Sequence, residues 1–439
     1  MTKKRIVACI CSCVCVLSST ACTLGGKSTL LAEPIPVEAL QYSEQTKEDF
    51  VDFKSKVNGF SSAFSQSVYQ AQVQTGNFAI SPISVFMALS LATECTAGNT
   101  KTELLSALNL DETLLRNNLS KLYRSLEKEY KSESVFGKKI TGKLHVTNSI
   151  WIDESVIAKP DCLHILSKDY YCYAYSADFL KDTASANKAL QNFVKKQMQK
   201  KINRDFNLSN QTLFSLINTL YLKDIWNFQG DDLSLTENTY EFHNQDGSVS
   251  SKKLLKSYYN LGRKYQTDTY SYFYADTYHN YKIKLIVPND GYTIGDVFTQ
   301  ETLSTVNSVK DFNAEDEENL LRYHTRCLFP EYSASYYGDV KTILQNDFGI
   351  QDLFSIQDGD FTPLTDEKAV CDGVIHASTL EVNRKGIEGA AITVIPGAGA
   401  PGPDEYTDVF ENFVVDKAFA FLITDPYDVT LFSGVIEKL

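Results

Sequence analysis

Two apolar rhythms divide this chain, and their order constrains the fold more than any other feature. From Lys47 to Gln74, Phe50, Phe53, Val57, Phe60 and Phe64 recur at helical spacing, which predicts an amphipathic helix. Ser81-Pro82-Ile83-Ser84 opens a second helix, Val85 to Thr93, apolar on nearly every side and therefore buried. Further helices are expected at Lys101–Leu108, Leu114–Tyr130 and Ile343–Phe354. Strand patterning takes over elsewhere. Lys143–Ile152 alternates and ends in Trp151 and Ile152, and Leu213–Leu222 is an apolar run suited to a central strand. Lys252–Val287 holds several aromatic, β-branched strands, and Val374–Val382, Phe413–Ile423 and Thr430–Val435 read as three more. Helices dominate early and strands late, with no βαβ rhythm and no internal repeat. The expected class is α+β around a large, mainly antiparallel sheet.

Charge and cysteine usage narrow the function classes. The net charge of −13 over 439 residues argues against a nucleic-acid partner, because nothing would neutralise phosphates. Lys3, Lys4 and Arg5 precede a short apolar run, Ile6 to Leu17, too short to span a bilayer, so residues 1–21 read as an export signal. Ser18-Ser19-Thr20-Ala21-Cys22 resembles a bacterial lipoprotein cleavage box with Cys22 lipidated, although Ser19 stands where that box usually has Leu. An ordinary secretory signal cleaved near Ala21 fits the same residues. Residues 22–45, with Gly25, Gly26, Pro34 and Pro36 and no periodicity, read as a tether, and 46–439 as a single domain. Beyond Cys22 only Cys95, Cys162, Cys172, Cys327 and Cys371 remain, an odd number without CxxC spacing. Buried free thiols are expected, with a Cys162–Cys172 bridge as the alternative.

Motifs for chemistry are weak. Gly397-Ala398-Gly399-Ala400-Pro401-Gly402 matches GxGxxG, but Pro401, Pro403 and Asp404 leave no helix to hold a pyrophosphate. Asp311 to Glu318 offers calcium-type oxygens without the turn glycine of an EF-hand. The six histidines are scattered, with no ligand neighbour at helical spacing. No enzyme activity, metal or cofactor is expected. The informative stretch is 381–412. Ile387-Glu388-Gly389-Ala390-Ala391-Ile392-Thr393-Val394-Ile395 is small and β-branched, and a Gly/Ala/Pro-rich run follows it. Alternate residues from Ile387 are uncharged, and the one charge, Glu388, falls on the other face. Such a segment suits a long exposed loop that could enter a sheet as a central strand; an edge strand or a linker fits it equally.

From about Phe50 to Leu439 the chain resembles the serpins. Asn77-Phe78-Ala79-Ile80-Ser81-Pro82-Ile83-Ser84 with Cys95-Thr96-Ala97-Gly98-Asn99-Thr100 looks like that family's early helix and turn. Asn148-Ser149-Ile150-Trp151 looks like its third main-sheet strand, and Asn218 to Trp226 like the strand that ends in tryptophan. Leu328-Phe329-Pro330-Glu331-Tyr332 and Phe348-Gly349-Ile350 fit the next block. His376 lies ten residues before Gly386, and Phe413–Phe421 and Leu431–Ile436 match the C-terminal strands. The resemblance implies the family's fold, with eight to nine helices, and a reactive-centre loop at about 384–412. It also implies suicide inhibition of an extracellular serine protease, or of a cysteine protease, by a monomer without cofactor. The protease cuts the loop as bait, and the cut loop inserts into the main sheet, a strand-addition device.

Site residues follow from the same resemblance. Ser81, Ser84, Asn218 and His376 match the shutter, a polar cluster under the sheet; Trp226 matches the breach where the loop enters. Gly386, Ile387, Glu388, Gly389, Ala390 and Ala391 match the hinge. This sequence departs from the family at Ile387, where Ser or Thr is usual, at Gly389, at Ile392 and at Arg384, where an acid is common; Pro396 would lose a ladder bond. The loop is also about seven residues longer than usual. Counting from Gly386 places the bait bond at Ala400–Pro401, with Ala398–Gly399 next because proteases rarely cut before proline. Counting back from the C-terminal strand gives Tyr406–Thr407. Alanine suggests an elastase-like or subtilisin-like protease. A non-inhibitory binding or scaffolding lipoprotein of the same fold is the alternative.

Overall fold

The computed structural model describes residues 26–35, 40–71, 76–134, 137–201, 208–226, 232–309, 312–387 and 406–439. The aromatic stripe read from the sequence forms one helix, α1 (Glu48–Ala71), with Phe50, Phe53, Val57, Phe60 and Phe64 all buried. Helix α2 (Pro82–Cys95), apolar on most sides, is buried along its whole length. A third, α3 (Thr183–Gln197), presents Ala186, Leu190, Phe193 and Val194 inward.

Nine strands frame the site: β1 (Thr29–Ala32), β2 (Gly137–Asp153), β3 (Cys172–Ala177), β4 (Phe214–Ile225), β5 (Leu321–Phe329), β6 (Tyr332–Asp339), β7 (Ile375–Asn383), β8 (Gly386–Ile387) and β9 (Thr407–Val414). The main sheet runs β1–β3–β2–β4–β8–β7–β6, with Lys128–Ser134 added against β2. Only the β2–β3 pair in it is parallel. A second sheet centres on β5 with β9 parallel to it, and a third holds six strands, including Phe419–Thr424 and Thr430–Ile436.

The main sheet is covered on both faces. One face meets the main core with α1 and α2. On the other, Trp151, Ile217 and Tyr221 pack with Phe193 of α3; the Trp151 ring lies 5.7 Å from Phe193. That double burial is why the Leu213–Leu222 run is apolar without alternation.

Several expectations need correction. Part of the expected tether is built into the domain: β1 pairs antiparallel with β3, and Tyr42–Gln45 forms a short helix with a capping box. Four extended residues at a sheet edge carry no periodicity to read. The helix expected over Leu114–Tyr130 ends at Leu126, and Lys128–Ser134 turns into a hairpin strand on β2. Gly349, at φ 70, stops the helix Lys341–Phe348, leaving Asp352–Phe354 as a separate 3-10 turn. Phe413–Ile423 is not one strand: β9 ends at Val414 in the second sheet, and Phe419–Thr424 starts in the third. Ten α-helices are present among the described residues, against the eight to nine expected. The Cys162–Cys172 bridge does not form; all five cysteines are buried free thiols. No helix among the described residues is long and apolar enough to cross a membrane.

Candidate functional site

The chain reverses tightly at Arg384–Lys385 and sends β8 back between β7 and β4. Ile387 pairs with Val382 on one side and Asp224 on the other; Gly386 pairs with Asn383 and Ile225. Gly386 sits at φ 148, and a Cβ there would lie 2.0 Å from the Asp224 carbonyl oxygen, so no other residue fits this close approach. Ile387 is fully buried in the main core. The indole of Trp226 closes the same end: its Nε1–H donates to the Asn383 carbonyl at 2.6 Å, and its ring meets Phe329 at 5.9 Å.

Polar groups clamp this turn. The Arg384 N–H donates to Glu331 Oε1 at 2.8 Å, and its carbonyl accepts from the Leu233 N–H at 2.7 Å. Beneath it, the Asp224 carboxylate has no exposure. It accepts from Thr277 Oγ1 (2.5 Å) and the His279 N–H (3.1 Å) and pairs with His279 Nδ1 at 2.5 Å. Asp224 and Glu331 stood inside the Asn218–Trp226 and Leu328–Tyr332 blocks without a role, and His279 was not singled out; the three belong to separate elements that meet only in the fold.

Past Ile387, no ladder joins β4 directly to β7 among the described residues; the link at the far end is one bridge, Phe214 to Cys371. Two strands of the main sheet therefore flank a stretch without mutual backbone pairing. Asn218 and His376 stand at the same height on its two sides, each six residues from its strand's pairing with Ile387 (224 to 218 and 382 to 376).

At that height lie the polar residues singled out in the sequence. His376 Nε2 accepts from the Ser81 N–H at 3.0 Å, and Ser81 Oγ shares a 2.9 Å hydrogen bond with Ser84 Oγ. Burial pulls the His376 imidazole down to about 4, so it is neutral at pH 7 and its Nε2 is an acceptor. Asn218 bonds elsewhere: its Nδ2 donates to Asn148 Oδ1 at 2.5 Å, and Asn148 Nδ2 donates to the Tyr170 carbonyl at 2.8 Å. Asn218 Oδ1 is buried and has no hydrogen-bond partner among the described residues. Thus Ser81, Ser84 and His376 form one hydrogen-bonded group and Asn218 a second. Sequence reasoning missed two partners. Asn148 stood inside the Asn148–Trp151 motif without a role, and Ser378, two residues from His376 on the same face of β7, donates to the Ala79 carbonyl at 2.5 Å.

Glu388, Gly389, Ala390, Ala391, Ala398, Gly399, Ala400, Pro401 and Cys22 lie outside the described residues. Tyr406 and Thr407 lie inside them. Arg322 stacks 5.1 Å over the Tyr406 ring, and the Thr407 N–H already donates to the Leu320 carbonyl at 2.8 Å.

A family model described as Serpin (serine protease inhibitor) matches residues 55–438. Serpin-ZX of Arabidopsis thaliana is 25% identical over 386 residues, covering 83% of this chain and 93% of the relative. The leukocyte elastase inhibitor of Sus scrofa is 24% identical over 374 residues, with 83% and 93% covered. Among solved structures, Arabidopsis AtSerpin1 in its native stressed conformation superposes with a TM-score of 0.71 at 20% identity, over 90% of this chain and 99% of that one. The α+β architecture described above is the fold of that structure.

Proposed function

The chain belongs to the serpin family, and from that premise we propose that it is a suicide inhibitor of an extracellular serine protease. One observation carries the reading: Ile387, the last described residue before the segment 388–405, is already paired on both sides and fully buried at the mouth of the stretch between β4 and β7 that carries no mutual ladder among the described residues. A protease serine attacks a bond of the segment 388–405; the amine leaves with the new N-terminus, and an ester tethers enzyme to loop. Residues after Ile387 then continue β8 down the stretch, and the protease is dragged along before water can cleave the ester. Roughly ten new ladder residues at about 0.5–1.5 kcal/mol each give on the order of 10 kcal/mol for that movement.

Thr407 is already held in β9, which supports a bait bond at Ala400–Pro401 or Ala398–Gly399 over Tyr406–Thr407, and with it an elastase-like or subtilisin-like protease. The basic n-region, the short apolar run and the small residues before Cys22 support export and a lipid anchor at Cys22.

The test is incubation of residues 23–439 with pancreatic elastase, subtilisin and chymotrypsin, followed by denaturing gels and sequencing of the released C-terminal peptide. An adduct stable to denaturant is expected, and the new N-terminus identifies the bait bond. Ile387→Arg, which buries a charge at the entry point, should turn the inhibitor into a plain substrate. Clean cleavage of the parent without adduct would instead favour a non-inhibitory binding protein.

A further inference from the structure

The outer face of the second sheet exposes large side chains beside β9, the strand that follows the segment 388–405. On β5, Tyr323, Thr325 and Cys327 point inward, while Arg322, His324 and Arg326 point outward. The parallel register sets His324 beside Phe410 and Arg326 beside Asn412 of β9; on the other side Leu261 pairs with His324. Leu261, His324 and Phe410 thus form one row across the sheet. Phe410 is 60% exposed, Leu261 51% and Tyr259 39%.

These side chains are ordered by one another. The Phe410 ring stacks on His324 (5.0 Å, 19°) and meets Tyr259 edge-on (5.0 Å, 74°). The Arg326 guanidinium lies 4.9 Å over the Tyr259 ring, and its Nε–H donates to Asn412 Oδ1 at 2.8 Å. No carboxylate pairs with Arg326 among the described residues. Phe, Tyr and Arg held in place before binding are the composition of interface anchors, and prior ordering lowers the entropic cost of using them.

Position supplies the partner. From Ala400 to Thr407 the chain reaches at most about 25 Å, and a protease of about 250 residues has a radius of gyration of about 18 Å. A protease holding the bait bond therefore stands over this sheet. We propose that Tyr259, Leu261, Arg326 and Phe410 form a secondary docking surface for the body of the attacking protease. It receives an apolar side chain on the Phe410–Leu261 ridge and a carboxylate at Arg326. This surface rests on the bait reading of the loop and adds a determinant of which protease is caught.

The test compares the parent chain with Phe410→Ala, an exposed change, and Arg326→Ala, a half-buried one, both in the second sheet rather than beside β8. Adduct-formation rates are measured with elastase and subtilisin, and reversible binding with subtilisin whose active-site serine is replaced by alanine. Slowing of about fivefold or more, with weaker reversible binding and unchanged stoichiometry, is expected; Arg326→Ala should also flatten the salt dependence. Rates and binding within twofold of the parent for both enzymes would overturn the proposal, as would absence of reversible binding to the parent. If the parent forms no adduct but binds the inactivated protease, and both variants weaken that binding, the docking surface stands and the trapping reading falls.

Discussion

His376 shows how one buried side chain ties stability to pH. Its imidazole is held near 4, below the ordinary value of about 6.5, because burial penalises the charged form. Above pH 6.5 both folded and unfolded chains carry it neutral, and it costs nothing. As pH falls through 6.5 the unfolded chain takes up a proton that the native state refuses, so stability drops until about pH 4. The full loss is about 3 kcal/mol. Asp276 and Asp425, both pushed up to about 6 by burial, work in the opposite sense, because the native state holds their protons more tightly. The His376 contribution is therefore read as a difference. Urea midpoints of the parent should fall more between pH 7 and 4.5 than those of His376→Gln, and parallel curves would contradict the assignment. His376 was legible in the sequence through its distance from Gly386. The Asp224–His279 pair beneath the hinge was not, because 55 residues separate them and neither sits in a periodic segment.

At the scale of elements, the two registers around β8 make a sharper statement than either strand alone. Continued from Ile387, both carry Thr393 to one height, opposite Asn218 on β4 and His376 on β7. Ile387 faces the core, so Gly389, Ala391, Thr393 and Ile395 would face it too, and Glu388 would not. Thr393→Arg should therefore abolish adduct formation, because it buries a charge midway down the stretch. Glu388→Arg should leave the stoichiometry of inhibition near that of the parent. A titration of protease activity against inhibitor distinguishes them; equal effects from both would mean that the loop does not follow this register. The alternation behind this prediction was visible in the sequence, since a central strand in a two-faced sheet needs one uncharged face. What stayed hidden were elements defined by long-range pairing alone. β1 acquires meaning only against β3, and Val415 to Ala418 looks continuous with its flanks although the chain changes sheets there.

For the whole molecule, the stretch between β4 and β7, unladdered among the described residues, leaves backbone groups of both strands that one further strand would pair. Under the proposed mechanism, cleavage of the bait bond would free the chain after Ile387 to continue β8, and roughly ten inserted residues would release on the order of 10 kcal/mol. The melting temperature should register this. Unfolding entropy near 2.1 cal/mol/K per residue gives about 0.8 kcal/mol/K for a domain of roughly 380 residues, so the cleaved chain should melt on the order of 10 °C above the intact one. Both must be scanned at one rate, since the melting temperature of an irreversible transition depends on scan rate. The rise should vanish in Ile387→Arg after cleavage at the same bond, because entry is blocked there. A cleaved parent that melts at the intact temperature would mean the strands close on each other without the loop. The chain would then hold the family's architecture while lacking its conformational change, and the exposed aromatic face beside β9 would have to serve binding alone.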